Sequence, residues 1–138
     1  MALFQGVIFL LLAPFAGVHL TFTAVVAGLV VMVLVSFALT SVGLIIAWRM
    51  QSIQGFHAIM NLFLIPMWLL SGALFPAAGA SPWVRLLMAV NPLTYGVEAV
   101  RLALYGHPGA TVPAAITAAF ALLMIGAGAL AVQRTGKG

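Results

Sequence analysis

The stretch NLFLIPMWLLSGALFPAAGASPWVRLLMAVNPLTYGVEAVR, residues 61–101, decides the fold. It opens with an apolar run that is interrupted by Pro66 and ended by Ser71, Gly72 and Pro76. Two short helix-like segments follow, and a further apolar run comes after them. This order predicts a membrane protein, because a short amphipathic segment between two apolar runs has nothing to bury against in water.

Each short segment carries the sequence signal of a helix start. A serine precedes Pro82 and an asparagine precedes Pro92, and proline is favoured at the first position of a helix. These signals predict helices over 82–90 and 92–105. The first would be about 13 Å long, which is too short to cross a bilayer.

The sequence of this stretch resembles that of the permease subunits of ABC-2-type exporters. The matching positions are 66–67, 70–76, 82–83, 91–92 and 94–95, together with Glu98 and Arg101. The resemblance implies that the two short helices form a re-entrant pair on the outer side of the membrane. It also implies a pathway between two permease subunits and ATP hydrolysis by a separate cytoplasmic subunit.

The composition points to lipid as the main surrounding medium. The chain has 138 residues, of which 65% are hydrophobic and 4% are charged, whereas a soluble domain carries roughly 25% charged residues. The only acidic residue is Glu98, and there is no cysteine. We therefore expect no catalytic residues, no metal site and no cofactor in this chain, and a chain with no cluster of basic residues is not expected to bind nucleic acid.

The hydropathy predicts one all-α transmembrane domain over residues 1–138. The first 48 residues hold no formal charge, and as one helix they would be about 72 Å long, more than twice the hydrocarbon core. They must therefore turn back once, and the best place is near Gly17. The predicted architecture is about four transmembrane helices with the re-entrant pair before the last one. The four spans are 3–18, 21–47, 56–75 and 112–132.

Small residues recur at every fourth position of the second span. The row is Ala24, Gly28, Met32, Ser36 and Thr40. Residues four apart share a helix face, and small residues allow another helix to approach closely. Two interpretations stay open. In the functional one, the row faces the conduit or a neighbouring helix; in the other, it is ordinary packing within the bundle.

Basic residues set the expected orientation. Arg49 follows the second span and marks a cytoplasmic loop under the positive-inside rule. Arg134 and Lys137 follow the last span and fall on the same side, because two spans intervene. The segment 76–111 then lies outside.

Three groups of polar or helix-breaking residues are candidate functional positions. Glu98 and Arg101 are three apart on one helical face, which predicts an ion pair that either gates the pathway or anchors the helix. The helix-breaking residues Pro66, Ser71 and Gly72 are a candidate hinge. The third group, at the re-entrant junction, consists of Asn91, Pro92 and Tyr95, which should face protein or a cavity rather than lipid.

The resemblance implies a multi-pass permease in a bacterial cytoplasmic (inner) membrane. It would move a lipophilic or lipid-linked substrate, such as a drug, a lipid or a glycan, with a cytoplasmic ATP-binding cassette ATPase and a second, identical or different, permease subunit as partners. Family members usually have six spans, so four spans indicate the C-terminal portion, either as a split subunit or as a fragment. The alternatives are a non-transporting scaffold or assembly protein, a truncated permease without autonomous activity, and an ion or proton channel.

Overall fold

The computed structural model describes residues 2–75 and 77–135, and the side chains of 4–75 and 77–133. The regular secondary structure in this part of the chain is entirely helical, with 3₁₀ turns at Ala13–Ala16 and Ala77–Gly79 and no strand. The α-helices are α1 (Ala2–Leu12), α2 (Phe22–Ala47), α3 (Ile53–Leu69), α4 (Pro82–Val90), α5 (Pro92–Leu104) and α6 (Thr111–Thr135). The prediction of an all-α membrane fold is confirmed.

Side-chain caps explain where three of the helices begin. The first N–H groups of a helix have no partner within it, and a short polar side chain just before the helix can accept from them. The Thr21 hydroxyl accepts from the amide of Ala24 at 3.2 Å, and the Ser52 hydroxyl accepts from the amide of Gly55 at 3.1 Å. The Asn91 side chain caps α5 in the same way.

The first predicted span is shorter as an α-helix than its apolar run. It was predicted over 3–18, but α1 ends at Leu12 and continues only as a 3₁₀ turn to Ala16. Pro14 lies in that turn, and proline has no N–H for an α-helical hydrogen bond. Gly17 then takes the left-handed conformation with φ +80° and closes the turn that the sequence predicted there.

The third predicted span also ends early. It was predicted over 56–75, but α3 starts at Ile53 and ends at Leu69. Its start is fixed by the Ser52 cap. Its end at Leu69 is followed by a turn in which Gly72 has a left-handed φ of +78°. At 1.5 Å per residue, α3 is about 25 Å long, which is less than the hydrocarbon core of about 30 Å.

Two helices of the described chain are long and apolar enough to cross a membrane by themselves. They are Phe22–Ala47 and Thr111–Gln133, and the shorter apolar helices are Phe4–Ala16 and Ile53–Leu69. The count of four spans stays a prediction. So does the orientation. Pro76, Lys137 and the side chain of Arg134, on which some of these predictions fall, lie outside the described residues.

The packed core lies where α2, α5 and α6 meet. Small side chains dominate it, and Ala99 of α5 and Ala121 of α6 are completely buried. Gly96 on α5 lies so close to α2 that a Cβ at this position would be 2.7 Å from Cγ2 of Val35. Close approach of backbones at small residues is the usual way in which membrane helices associate.

The row of small residues on α2 is only partly in this core. Ala24 and Gly28 are buried, whereas Thr40 at the end of the row is exposed. A spacing of four residues advances about 40° per step around a helix of 3.6 residues per turn, so the row turns by about 160° from end to end. The side of α2 that is buried consists of Ala24, Gly28, Val31 and Ala38, whose spacing follows the helical repeat. At its N-terminal end the row packs against α5, with Gly28 facing Leu104.

Helix α3 lies at the edge of this core. It has no buried residue, and it packs only lightly against α2. Large apolar side chains such as Leu62, Phe63 and Ile65 are exposed along it. The side-chain hydrogen bonds that join this part of the chain to Asn91 and α5 all lie at or just after the C-terminal end of α3.

Candidate functional site

The predicted re-entrant junction forms around Asn91, which lies between α4 and α5. Its side chain is buried and has two hydrogen bonds. The Oδ1 atom accepts from the amide of Leu93 at 3.1 Å and caps α5, while the Nδ2 group donates to the carbonyl of Met67 at 2.6 Å. A single asparagine therefore starts one helix and binds the end of another.

Two further side chains of α5 reach the same end of α3. The Thr94 hydroxyl donates to the carbonyl of Leu70 at 3.1 Å. Nη2 of Arg101 donates to the carbonyl of Gly72 at 2.9 Å. Carbonyls at and just beyond the end of an α-helix have no donor within the helix, so α5 supplies partners from another part of the chain to the segment that ends α3.

The spacing of these donors follows from helix geometry. Thr94 and Arg101 are seven residues apart, which is close to two turns, and Asn91 precedes Thr94 by three. The donors therefore lie along one side of α5 and its N-cap, and they face the carbonyls of residues 67, 70 and 72 in the same order. An interhelical hydrogen bond in a membrane contributes about 0.6 kcal/mol on average, so three contribute about 2 kcal/mol.

The candidate hinge residues Ser71 and Gly72 form a tight turn directly after α3. Ser71 is 2% exposed, and its hydroxyl donates to the carbonyl of Trp68 at 2.6 Å. Gly72 is buried beside Met88 of α4, whose Cε atom would be 3.4 Å from an added Cβ. The turn is therefore packed, and its conformation requires glycine.

The predicted ion pair between Glu98 and Arg101 is not formed among the described residues. Arg101 donates to the Gly72 carbonyl instead. The physical reason is that this carbonyl follows a helix end and needs a donor, whereas the exposed Glu98 carboxylate can be solvated. A gating role for the two residues stays a prediction.

The candidate residues nevertheless gather around two adjoining clefts. A cleft of about 210 Å³ is lined by Ser71 and Gly72 from the turn after α3 and by Thr94, Glu98 and Arg101 from α5. An apolar groove of about 290 Å³ lies between α3 and the α4–α5 junction, and its lining includes Pro66, Asn91 and Pro92. Two of the candidate groups, the hinge and the predicted ion pair, are thus neighbours in the first cleft.

Two of the predicted site residues do not line the cleft or the groove. Tyr95 donates from its hydroxyl to the carbonyl of Ala89 at 2.7 Å and thereby ties α5 to the end of α4. Arg49 is exposed in the turn between α2 and α3, at the opposite end of α3 from Ser71. The structure does not bring Arg49 into the site.

Sequence reasoning matched Thr94 only as part of a motif and gave it no role. A signal for that role was present, because residues 91, 94 and 101 fall on one side of the predicted helix. What they face could not be read from the sequence, since the partners are main-chain carbonyls 24 to 29 residues away.

Comparison with known proteins identifies the family. The sequence profile of the family described as ABC-2 type transporter matches residues 1–105, which include α1 to α5 and all three donors to α3. The chain belongs to the ABC-2 type transporter family.

Two curated relatives of this ABC-2 chain share its sequence over a substantial part. Nodulation protein J of Sinorhizobium fredii (strain NBRC 101917 / NGR234) is 32% identical over 117 residues, which are 85% of this chain and 44% of the relative. Nodulation protein J of Neorhizobium galegae is 30% identical over 78 residues, 56% of this chain and 30% of the relative. The chain thus spans less than half the length of these relatives. No solved structure gives a significant match.

Proposed function

We propose that this chain is a membrane-spanning permease subunit of an ABC-2-type exporter. In this proposal it moves a lipophilic or lipid-linked substrate, such as a drug, a lipid or a glycan, out of the cytoplasm. The energy comes from ATP that a cytoplasmic ATP-binding cassette partner hydrolyses, and a second permease subunit completes the pathway. The observation that carries the proposal is the family match over residues 1–105.

The surface of the chain supports a multi-pass position in a bilayer. Aromatic and aliphatic side chains such as Phe9, Phe37, Leu62 and Leu123 are exposed on four different helices. An exposed apolar surface of this extent is unfavourable in water and favourable in lipid. We propose the cytoplasmic (inner) membrane of a bacterium as its location, with α1, α2, α3 and α6 as spans.

The lining of an apolar groove supports the proposal that the substrate is lipophilic. The groove has a volume of about 300 Å³ and lies between α1, α2 and α5, with Met32, Val35, Leu93 and Val97 in its lining. Such a groove accepts alkyl or ring carbons and offers few partners to a charged molecule. Drugs, lipids and lipid-linked glycans all present this chemistry.

The test is purification of the tagged chain in a mild detergent, followed by mass spectrometry of the proteins that accompany it. A tagged, unrelated membrane protein of similar size serves as the control for background. The proposal expects a stoichiometric subunit with a phosphate-binding loop, with or without a longer permease chain. A monodisperse chain without any nucleotide-binding partner would contradict it and favour a scaffold or a permease without autonomous activity.

A further inference from the structure

Helix α3 is attached to the rest of the molecule by hydrogen bonds at one end rather than by a packed face. Helix α3 has no buried residue, yet the carbonyls of Met67 in its last turn and of Leu70 and Gly72 just after it accept hydrogen bonds from Asn91, the N-cap of α5, and from α5 itself. An apolar helix without a buried face gains little from packing. Its position relative to α5 is therefore determined by polar contacts at one end.

Helix α5 is attached in a different way. Ala99 is completely buried, and Gly96 lies so close to Val35 of α2 that an added Cβ would clash with it. Packing of this kind fixes the distance and the rotation of α5 within the bundle, because backbones in close contact cannot slide without separating. Helix α5 is thus the fixed partner, and α3 is the one that can move.

We infer that Asn91, Thr94 and Arg101 act as positioning residues that together form a latch between α5 and the end of α3. The closed latch sets the angle between the two helices, and opening it allows α3 to tilt away from the bundle. That such a tilt belongs to an export cycle rests on the function proposed above, whereas the latch itself does not.

The latch also determines when the turn after α3 can bend. Two of its bonds reach carbonyls before the turn, those of Met67 and Leu70, and the third reaches Gly72 within it. With both sides of Ser71 fastened to one rigid helix, the turn cannot act as a hinge. Bending at Ser71 and Gly72 therefore requires the latch to open first.

The experiment measures the distance between α3 and α5 by pulsed electron paramagnetic resonance on the full chain in lipid nanodiscs. The chain has no cysteine, so spin labels attach only at introduced positions. Leu62→Cys on α3 and Tyr105→Cys at the end of α5 replace exposed residues outside the latch. No nucleotide and no partner protein are needed.

The main variant is Thr94→Val, which has nearly the same shape and removes only the hydroxyl that donates to the Leu70 carbonyl. We expect the population of long α3–α5 distances to rise about three-fold, the factor that the loss of one interhelical hydrogen bond gives in a membrane. A distance distribution identical to that of the parent chain would overturn the inference.

Two matched variants separate the latch from a general loss of packing. Thr94→Ser keeps a hydroxyl and should leave the distribution unchanged. Thr117→Val removes a buried hydroxyl whose bond, to the carbonyl of Pro113 at 2.8 Å, stays within α6, and it should also leave the distribution unchanged. A Thr117→Val chain as broad as Thr94→Val would contradict a specific latch.

A second latch variant keeps the inference testable if Thr94→Val does not fold. Asn91→Asp retains the oxygen that caps α5 at Leu93 and loses the Nδ2 group that donates to Met67. It should broaden the same distances while α5 remains helical, and an unchanged distribution would again overturn the latch. Because the measurement uses the resting chain, failure to find an ATPase would disprove the exporter and leave this result intact.

Discussion

The bundle of α2, α5 and α6 and the neighbouring helix α3 are attached by different forces. The bundle buries small side chains such as Ala38, Ala99 and Ala121 in close contact, whereas α3 buries none and is held by three hydrogen bonds to carbonyls in its last turn and in the turn that follows it. Close packing tolerates little displacement, because any shift opens voids or creates clashes. Hydrogen bonds at one helix end can break singly. The difference suggests a division into a rigid bundle and a movable edge.

The largest expected effect comes from enlarging the tightest contact of the bundle. Gly96→Ala places a Cβ 2.7 Å from Cγ2 of Val35, and a β-branched side chain in a helix has little freedom to move aside. We expect a loss of about 1–3 kcal/mol in the free energy of unfolding. Thermal unfolding in detergent, followed by size-exclusion chromatography, measures it.

Gly126→Ala is the matched control for this prediction. Gly126 is also helical, but an added Cβ there meets no atom within 4 Å. This variant should be neutral or slightly more stable, since alanine is the better helix former. Equal stability of the two variants would show that the contact between α2 and α5 is looser than described.

Gly72→Ala tests whether the end of α3 depends on its turn. The residue has φ +78°, a left-handed conformation that costs an L-residue about 1–2 kcal/mol. We expect a destabilisation of that size, together with faster proteolysis of the segment after α3. Gly79→Ala, at a glycine with open space around it and no positive φ, is the control and should behave as the parent chain.

Pro66→Ala is expected to act in the opposite direction. It restores an N–H donor inside α3, where proline disfavours a helix by about 3 kcal/mol relative to alanine, so α3 should become straighter and no less stable. If Pro66 contributes to a hinge, export and ATPase coupling fall while folding is kept. Unchanged transport and unchanged coupling would exclude the hinge role.

Glu98→Gln should have the smallest effect on stability. The carboxylate is exposed and has no ion-pair partner among the described residues, and surface substitutions of this kind stay within about 0.5 kcal/mol. Under the gating hypothesis, export from vesicles falls while the melting temperature is unchanged. A parallel loss of export and stability would instead assign Glu98 a structural role.

The sequence predicted the helices well where capping residues mark their limits. Thr21 precedes α2, Asn91 precedes α5 and Pro82 is the first residue of α4, and these three starts agree with local sequence signals. The cap at Ser52 was not recognised, so the start of α3 at Ile53 was predicted too late. The sequence also failed at the ends of α1 and α3, because hydropathy continues past Pro14 and Gly72 although the backbone does not remain α-helical. Apolar character alone does not report backbone geometry.

The site was predictable in its residues and not in its contacts. Asn91 and Arg101 were identified from the motif, but Arg101 was assigned to Glu98, its nearest charged neighbour in sequence. In the structure the Arg101 side chain donates a hydrogen bond to a main-chain carbonyl 29 residues away. Such carbonyls carry no sequence signal, since every residue has one, and only the tertiary arrangement of α3 and α5 determines which one is reached.

The most direct test of a rigid bundle and a movable α3 compares two pairs of spin-labelled positions in the same complex, one pair in each variant of the chain. Phe37→Cys with Leu123→Cys reports on α2 and α6, and Leu62→Cys with Tyr105→Cys reports on α3 and α5; all four positions are exposed. Distances are measured by pulsed electron paramagnetic resonance with the co-purified ATPase, before and after ATP is added. The account predicts a constant α2–α6 distance and a changed α3–α5 distance. A shift within the bundle, or an unmoved α3, would contradict it.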